Sequence, residues 1–238
     1  YKNQKIRHAL VISGIGQINA AAATAYLASQ CNAKKWTAWV NVGIAGYSEG
    51  SIGEIFQAIK VTNLANSKSY FPGYRLTDIV PFSDLQTLDE PGVNYKHKTL
   101  YDMEGAAFSE VASRISCNEL TYVLKVVSDT PSSLYSRVDK IMAQKLVEKN
   151  LGTISIILGK ITELVDEEKE RLMLPLEVKK VFEQYHFSAT RKNQFIQKYR
   201  MLKAIFPKKE IKNFMGNSTS AKNILKEMDN ALGSAPLN

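Results

Sequence analysis

The chain has 238 residues, 45% of them hydrophobic, enough to bury a full core and hold one α/β domain plus a smaller appendage. No run of roughly 18 apolar residues occurs, so no transmembrane helix is expected. The two cysteines, Cys31 and Cys117, and the three histidines match no metal-ligand spacing, which argues against a zinc site and for reduced thiols in a cytoplasmic protein. Charge is unevenly placed. Residues 1–167 carry 17 Lys+Arg against 16 Asp+Glu, and residues 168–238 carry 14 against 7, so most of the net +8 belongs to the C-terminal third. No secretory signal is visible, although Tyr1 is not an initiator methionine.

The first part of the chain alternates strand and helix. His8–Ser13 predicts a strand, Gly14-Ile15-Gly16 a turn, and an Ala-rich segment a helix from about Ile18 to Cys31. Trp36–Val42 predicts a second strand, running into a Gly-x-Ala-Gly turn at Gly43–Gly46. Glycines there would uncover backbone N–H groups and admit a ligand closely. Ile52–Asn63 predicts a third strand. Between about Asn66 and Asn94, Pro72, Gly73, Pro81, Pro91 and Gly92 predict a long irregular loop with at most one short strand, Asp84–Leu88. A helix is expected over Met103–Ser116, with Ala106, Ala107, Val111 and Ala112 on its small apolar face, and a strand over Leu120–Val127. One long helix from Val138 to about Leu172 carries the stripe Ile154, Ile157, Leu158, Ile161 and Leu164.

Near Pro175 the character changes, which sets a main domain at 1–172 and a basic helical extension at 173–238. Glu177–Tyr185 reads as a short helix. Ser188 offers an N-cap to a second, with Phe195, Tyr199, Leu202 and Phe206 at helical spacing up to Pro207. Ser218 or Ser220 caps a third through Ala231, before a frayed tail at Gly233–Asn238. Arg191, Lys192, Lys198, Arg200, Lys203, Lys208, Lys209 and Lys212 raise nucleic-acid or acidic-partner binding. No named nucleic-acid motif accompanies them, and the aromatics fall on the apolar stripe, so a solvated basic face is the reading we take.

Two acids stand out. Asp129 ends an apolar run, so a strand delivers one carboxylate to its tip, and Glu104 stands where a helix begins. Together they are candidates for one pocket, one holding a sugar hydroxyl while the other gives a proton to a leaving base. Each alone also fits a blander account, a helix start with favourable dipole placement and a strand ending in a turn. Gly14-Ile15-Gly16-Gln17-Ile18-Asn19 has Asn where a dinucleotide fingerprint needs its third glycine, and no acid closes a second strand about 20 residues on. A tight turn packing helix on strand accounts for those glycines.

Four segments in order, ALVISGIGQINAAAATAYL (Ala9–Leu27), VNVGIAG (Val40–Gly46), YDMEGAAF (Tyr101–Phe108) and LKVVSDT (Leu124–Thr130), resemble the nucleoside phosphorylase and nucleosidase superfamily. It includes purine nucleoside phosphorylases, methylthioadenosine/S-adenosylhomocysteine nucleosidases and futalosine hydrolases. The resemblance covers about Ala9 to Ile161 and implies an α/β fold, a twisted mostly parallel sheet with helices on both sides. It implies cleavage of the N-glycosidic bond of a purine-type nucleoside, a homodimer, and no cofactor, with phosphate as co-substrate in a phosphorylase. Asp129 matches the family aspartate that protonates or hydrogen-bonds the purine at N7, a role that asks burial to keep it partly protonated. Glu104 matches the glutamate that accepts the ribose 2′- and 3′-hydroxyls, and Met103 the methionine that packs on the sugar. Gly43, Ile44, Ala45 and Gly46 lie where the family places its nucleophile and ribose-face contacts.

The sequence departs from the family twice. Many members carry Ser or Thr where Ile44 stands, and the Gly-Ile-Ala-Gly form looks like the futalosine hydrolase branch, whose strand does not typically end in Ser-Asp. Family members also begin with a strand and glycine turn bearing an arginine or a glutamate, and this chain starts at Tyr1 with nothing in that place. We expect that segment to lie outside this sequence. The rival from another class is a non-catalytic nucleoside-binding or nucleic-acid-associated protein on the same fold.

Overall fold

The computed structural model describes all residues except 1, 4–7, 77, 92–94, 96–97, 134–137, 219 and 235–238. The chain divides into two compact units, Tyr1–Leu172 and Met173–Asn238. In the first, β1 (Lys2–Asn3) pairs antiparallel with β2 (His8–Ala9). Then follow α1 (Gln17–Gln30), β3 (Trp39–Tyr47), β4 (Ile55–Asn63), β5 (Ser69–Tyr70) and β6 (Phe82–Thr87). After them come β7 (Leu100–Asp102), α2 (Gly105–Ile115), β8 (Thr121–Asp129), α3 (Lys140–Lys149) and α4 (Leu151–Leu172). The main sheet has the hydrogen-bonded order β5-β4-β6-β7-β3-β8, and β4 pairs again with β8, so the order returns on itself. Its two longest ladders, β3–β8 and β4–β6, are parallel. β7 is parallel to β6 and antiparallel to β3. The unit is a mixed α/β fold on a mostly parallel sheet.

Alternation along β3 and β8 sorts their side chains to two faces. Trp39, Ala45, Val123 and Val127 join Ala106, Phe108 and Ala112 of α2, with Leu27 and Ala28 of α1 against them. Val40, Ile44, Tyr122, Leu124 and Val126 face the other way, toward Leu146 of α3 and Ile154, Ile157 and Ile161 of α4. Each large aliphatic side chain fully buried there contributes about 1.5–3 kcal/mol. β8 is buried at every position, and a strand covered on both faces reads as a near-continuous apolar run. Lys125 interrupts that run.

The structure corrects several sequence expectations. The strand expected over His8–Ser13 stops at Ala9, and Ile12 is 82% exposed; an apolar run shows strand character, while a ladder needs a neighbouring strand. Gly43–Gly46 is no turn. It lies inside β3 and stays registered with β8 through Gly46, its glycines serving neighbouring side chains, as shown below. The region from Asn66 holds β5 and a longer strand than expected, β6, entered directly after Pro81, where a missing N–H removes no ladder bond. Gly92 and Asn94 lie outside the described residues. The single helix expected over Val138–Leu172 is two, separated at Asn150, whose side-chain amide donates to the carbonyls of Leu146 and Gly53. Apolar periodicity runs across that junction and cannot mark it.

The second unit contains α5 (Leu176–Gln184), α6 (Ala189–Ile205) and α7 (Ala221–Gly233). They enclose Val178, Val181, Phe195, Tyr199, Leu202, Ile224 and Met228, with Phe206 packed against this core. The Ser188 and Ser220 hydroxyls accept the amides of Arg191 and Asn223, each satisfying one orphan donor of the helix start. Residues 235–238 of the expected tail lie outside the described residues.

Candidate active site

Gly46 is the centre of the arrangement. It registers with Tyr101 of β7 on one side and with Asp129 of β8 on the other. At the usual strand spacing of about 4.8 Å, those two positions stand about 10 Å apart across β3. The acidic segments do not leave the sheet in the same direction, since β7 and β8 run oppositely beside β3. Shared register at Gly46 sets Tyr101 and Asp129 on either side of β3.

Asp129 is delivered by a bulge. Val127 pairs with Ala45 and Asp129 with Gly46, so Ser128 is the extra residue. Such an insertion bends the strand end and re-aims the side chain beyond it. The Ser128 hydroxyl lies 2.5 Å from Asp129 Oδ1 and 3.2 Å from the Ala45 carbonyl oxygen. The Tyr95 hydroxyl donates to Asp129 Oδ2, and the Tyr95 ring meets Tyr101 edge-on at 5.8 Å. Asp129 itself is 6% exposed. A side chain on Gly46 would stand 2.6 Å from the Tyr95 ring and 2.7 Å from Asp129 Oδ2, so only glycine leaves room for both.

Glu104 is the N-cap of α2, and its Oε1 accepts the Gly16 amide at 2.7 Å. Gly16 caps α1 with φ +98°, a conformation that favours glycine. The Gly14–Gly16 turn therefore docks the Glu104 carboxylate on the positive end of a second helix. Gln17 continues the contact, donating to Asp89 and accepting from Asn63 at 2.8 Å. Met103, half-buried, lies between β7 and Glu104.

Behind this turn lies a buried ion pair. Lys125 Nζ is 2.8 Å from Asp102 Oδ2, with both side chains essentially inaccessible. Lys125 projects from β8 on the same face as Val123 and Val127, crosses β3 above Gly43, and reaches β7. A Cβ on Gly43 would stand 3.0 Å from the ammonium nitrogen. Asp102 also accepts the Thr87 hydroxyl at 2.6 Å and the Gly105 amide at 2.7 Å. Both carboxylate oxygens of Asp102 therefore have partners, which a charge this deep requires.

Of the residues selected from sequence, Asp129 and Gly46 are in contact, Ala45 lends its carbonyl to Ser128, and Glu104 and Met103 flank the start of α2. Gly43 lies under Lys125. The Ile44 side chain packs on the opposite face of the sheet, against the α3 and α4 core, so only its backbone stands on this side. Sequence reasoning passed over Lys125, Asp102, Thr87 and Tyr95. A lysine inside VLKVV was the available signal, since a charge in a doubly covered strand demands a buried partner. Among the described residues, no group of three or more His, Cys, Asp and Glu could hold a metal, and no helix is long and apolar enough to cross a membrane. A separate cavity of about 140 Å³, lined in part by Ser69, Tyr70, Phe71 and Ser109, shares none of these residues.

No protein-family model matches the chain. No curated protein matches it either. Solved structures do. One is the 5′-methylthioadenosine/S-adenosylhomocysteine nucleosidase of Colwellia psychrerythraea in complex with adenine, 20% identical, with 59% of this chain and 76% of that chain covered and a TM-score of 0.45. The Neisseria meningitidis nucleosidase of the same name, bound to methylthio-immucillin-A, is 15% identical over 63% and 78%, with a TM-score of 0.48. The 5′-methylthioadenosine nucleosidase of Arabidopsis thaliana is 20% identical over 64% and 72%, with a TM-score of 0.48. At these identities, and at TM-scores below 0.5, the likeness carries no argument about this chain. All three carry the name nucleosidase.

Proposed function

We propose that this chain cleaves the N-glycosidic bond of a purine-type nucleoside. The observation that carries the reading is the pair of acids on either side of β3, Asp129 seated over Gly46 and the Glu104 turn docked on the start of α1. Their match to the family motifs supports the same reading. Breaking a ribose–base bond builds positive charge on the sugar and negative charge on the base. Glu104 binds the ribose hydroxyls, since a carboxylate accepts two donors. As the nucleophile adds to C1′, the electron pair of the broken C–N bond passes to the base, and Asp129 supplies the proton that neutralises it. Ser128 and Tyr95 hold the Asp129 carboxyl in place, and Met103 packs on the sugar.

The nucleophile is water in a nucleosidase and phosphate in a phosphorylase, and base release tells the two apart. The test is base release from a panel of purine nucleosides, with and without inorganic phosphate. Release without phosphate supports hydrolysis, and release only with phosphate supports phosphorolysis. Nucleoside binding with no release under either condition would replace the enzyme by a binding protein on the same fold.

A further inference from the structure

We infer that Lys125 is a positioning residue: acting through Asp102, it fixes the turn that presents Glu104, and so governs discrimination between ribo- and 2′-deoxyribonucleosides. The inference rests on the nucleosidase reading for its substrate, and on geometry alone for its mechanics. A helix start leaves its first amides without intrahelical partners. In α2 the Gly105 amide is taken by Asp102 Oδ2 at 2.7 Å, and the Ala106 amide by the Thr87 hydroxyl at 3.0 Å. Thr87 in turn donates to Asp102 Oδ1 at 2.6 Å. Asp102 is thus the common anchor of both amides that follow Glu104, and Lys125 is the cation that holds its carboxylate in orientation inside the core, at 2.8 Å.

The contacts leave little slack. A Cβ on Gly105 would stand 2.7 Å from Leu85 and 3.0 Å from Asp102 Oδ2, and one on Gly43 3.0 Å from the Lys125 ammonium. Glu104 lies between the Asp102 anchor and the Gly16 amide, which it accepts at 2.7 Å. Its backbone is therefore held from behind by Lys125–Asp102–Thr87 and its carboxylate from the front by α1. Loosening the rear anchor moves the carboxylate without removing it. A group that reads a 2′-hydroxyl through a hydrogen bond of fixed length loses that reading first.

The experiment uses the full chain and three variants. Lys125→Met strands the Asp102 charge, so Lys125→Met combined with Asp102→Asn is made as a neutral counterpart of similar shape. Thr87→Val, which leaves the ion pair intact, is the mild member. Two quantities are read in each: the ratio of kcat/KM for adenosine over 2′-deoxyadenosine, and the amide hydrogen-exchange rates of Gly105 and Ala106 against that of Ala112 in the same helix. We expect the ratio to fall at least tenfold in whichever Lys125 variants fold, and less in Thr87→Val, while Gly105 and Ala106 exchange at least tenfold faster and Ala112 does not. A folded Lys125 variant that keeps either the wild-type ratio or the wild-type exchange overturns the inference. Should no Lys125 variant fold, unchanged exchange at Ala106 in Thr87→Val overturns it. If the wild-type protein cleaves neither nucleoside, the nucleosidase reading falls, and the exchange rates still decide whether Lys125 and Thr87 fix the turn.

Discussion

Asp129 and Gly46 face each other in the β3–β8 ladder, and the Asp129 carboxylate fills the space where a Gly46 side chain would stand, 2.7 Å from that Cβ position. Gly46→Ala should therefore displace Asp129 and Tyr95 together while leaving the core intact. A misplacement of about 1 Å is enough for a loss of roughly a hundredfold in rate. Base-release kinetics should show that drop with a small change in Tm. A variant with full turnover would mean that Asp129 does not need its seat.

Asp129→Asn keeps the shape and the Ser128 contact but removes the proton. General acid catalysis is worth about a hundred- to ten-thousandfold, so turnover on a purine nucleoside should fall by that order with KM little changed. Full activity in this variant would remove Asp129 from the acid role.

Asp102→Ala is a stability prediction. It leaves the Lys125 ammonium, 1% exposed in its side chain, without a counter-charge. Breaking a buried pair from one side costs about 3–5 kcal/mol, which urea unfolding of the variant against wild type would measure. A loss below about 1 kcal/mol would show that water reaches Lys125 readily.

The helical unit carries its own acid sensitivity. Burial pushes the Glu177 carboxyl up, but the Tyr199 hydroxyl, the Ile211 amide and the Lys203 ammonium outweigh it and hold the pKa below the usual carboxylate range. Tyr199 is pushed above its ordinary value, first by burial and then by Glu177. A depressed carboxyl contributes stability that is present above its unfolded pKa, about 4.3, and lost as pH falls through the lower folded value. Melting curves from pH 7 down to pH 3 should show this loss, and Glu177→Gln should flatten it. Tyr199→Phe should cost about 1 kcal/mol at neutral pH, a figure reduced for the partial exposure of Glu177.

Local chemistry was legible in the residue order. Alternation and apolar runs predicted the main strands, Ser188 and the Ser220 alternative were read as caps, and the change near Pro175 was visible because composition and charge shift there. Asp129 and Glu104 are candidates from sequence because a carboxylate at the end of an apolar strand and another at a helix start are statements about single segments. Tertiary structure decided everything that depends on which segments become neighbours. Gly43 and Gly46 looked like a turn because a sequence shows that a side chain is missing and not what fills its place; here Lys125 fills one and Asp129 with Tyr95 the other. The Asn150 break was hidden because the apolar stripe continues through it, and its cause is a hydrogen bond to Gly53, 97 residues away. Lys125 went unnoticed in the sequence although a lysine inside an apolar strand is a local signal, and its partner Asp102 sits two strands across the sheet. Pairings over such distances are set by register and by the direction of β7 against β3, and no local pattern encodes either.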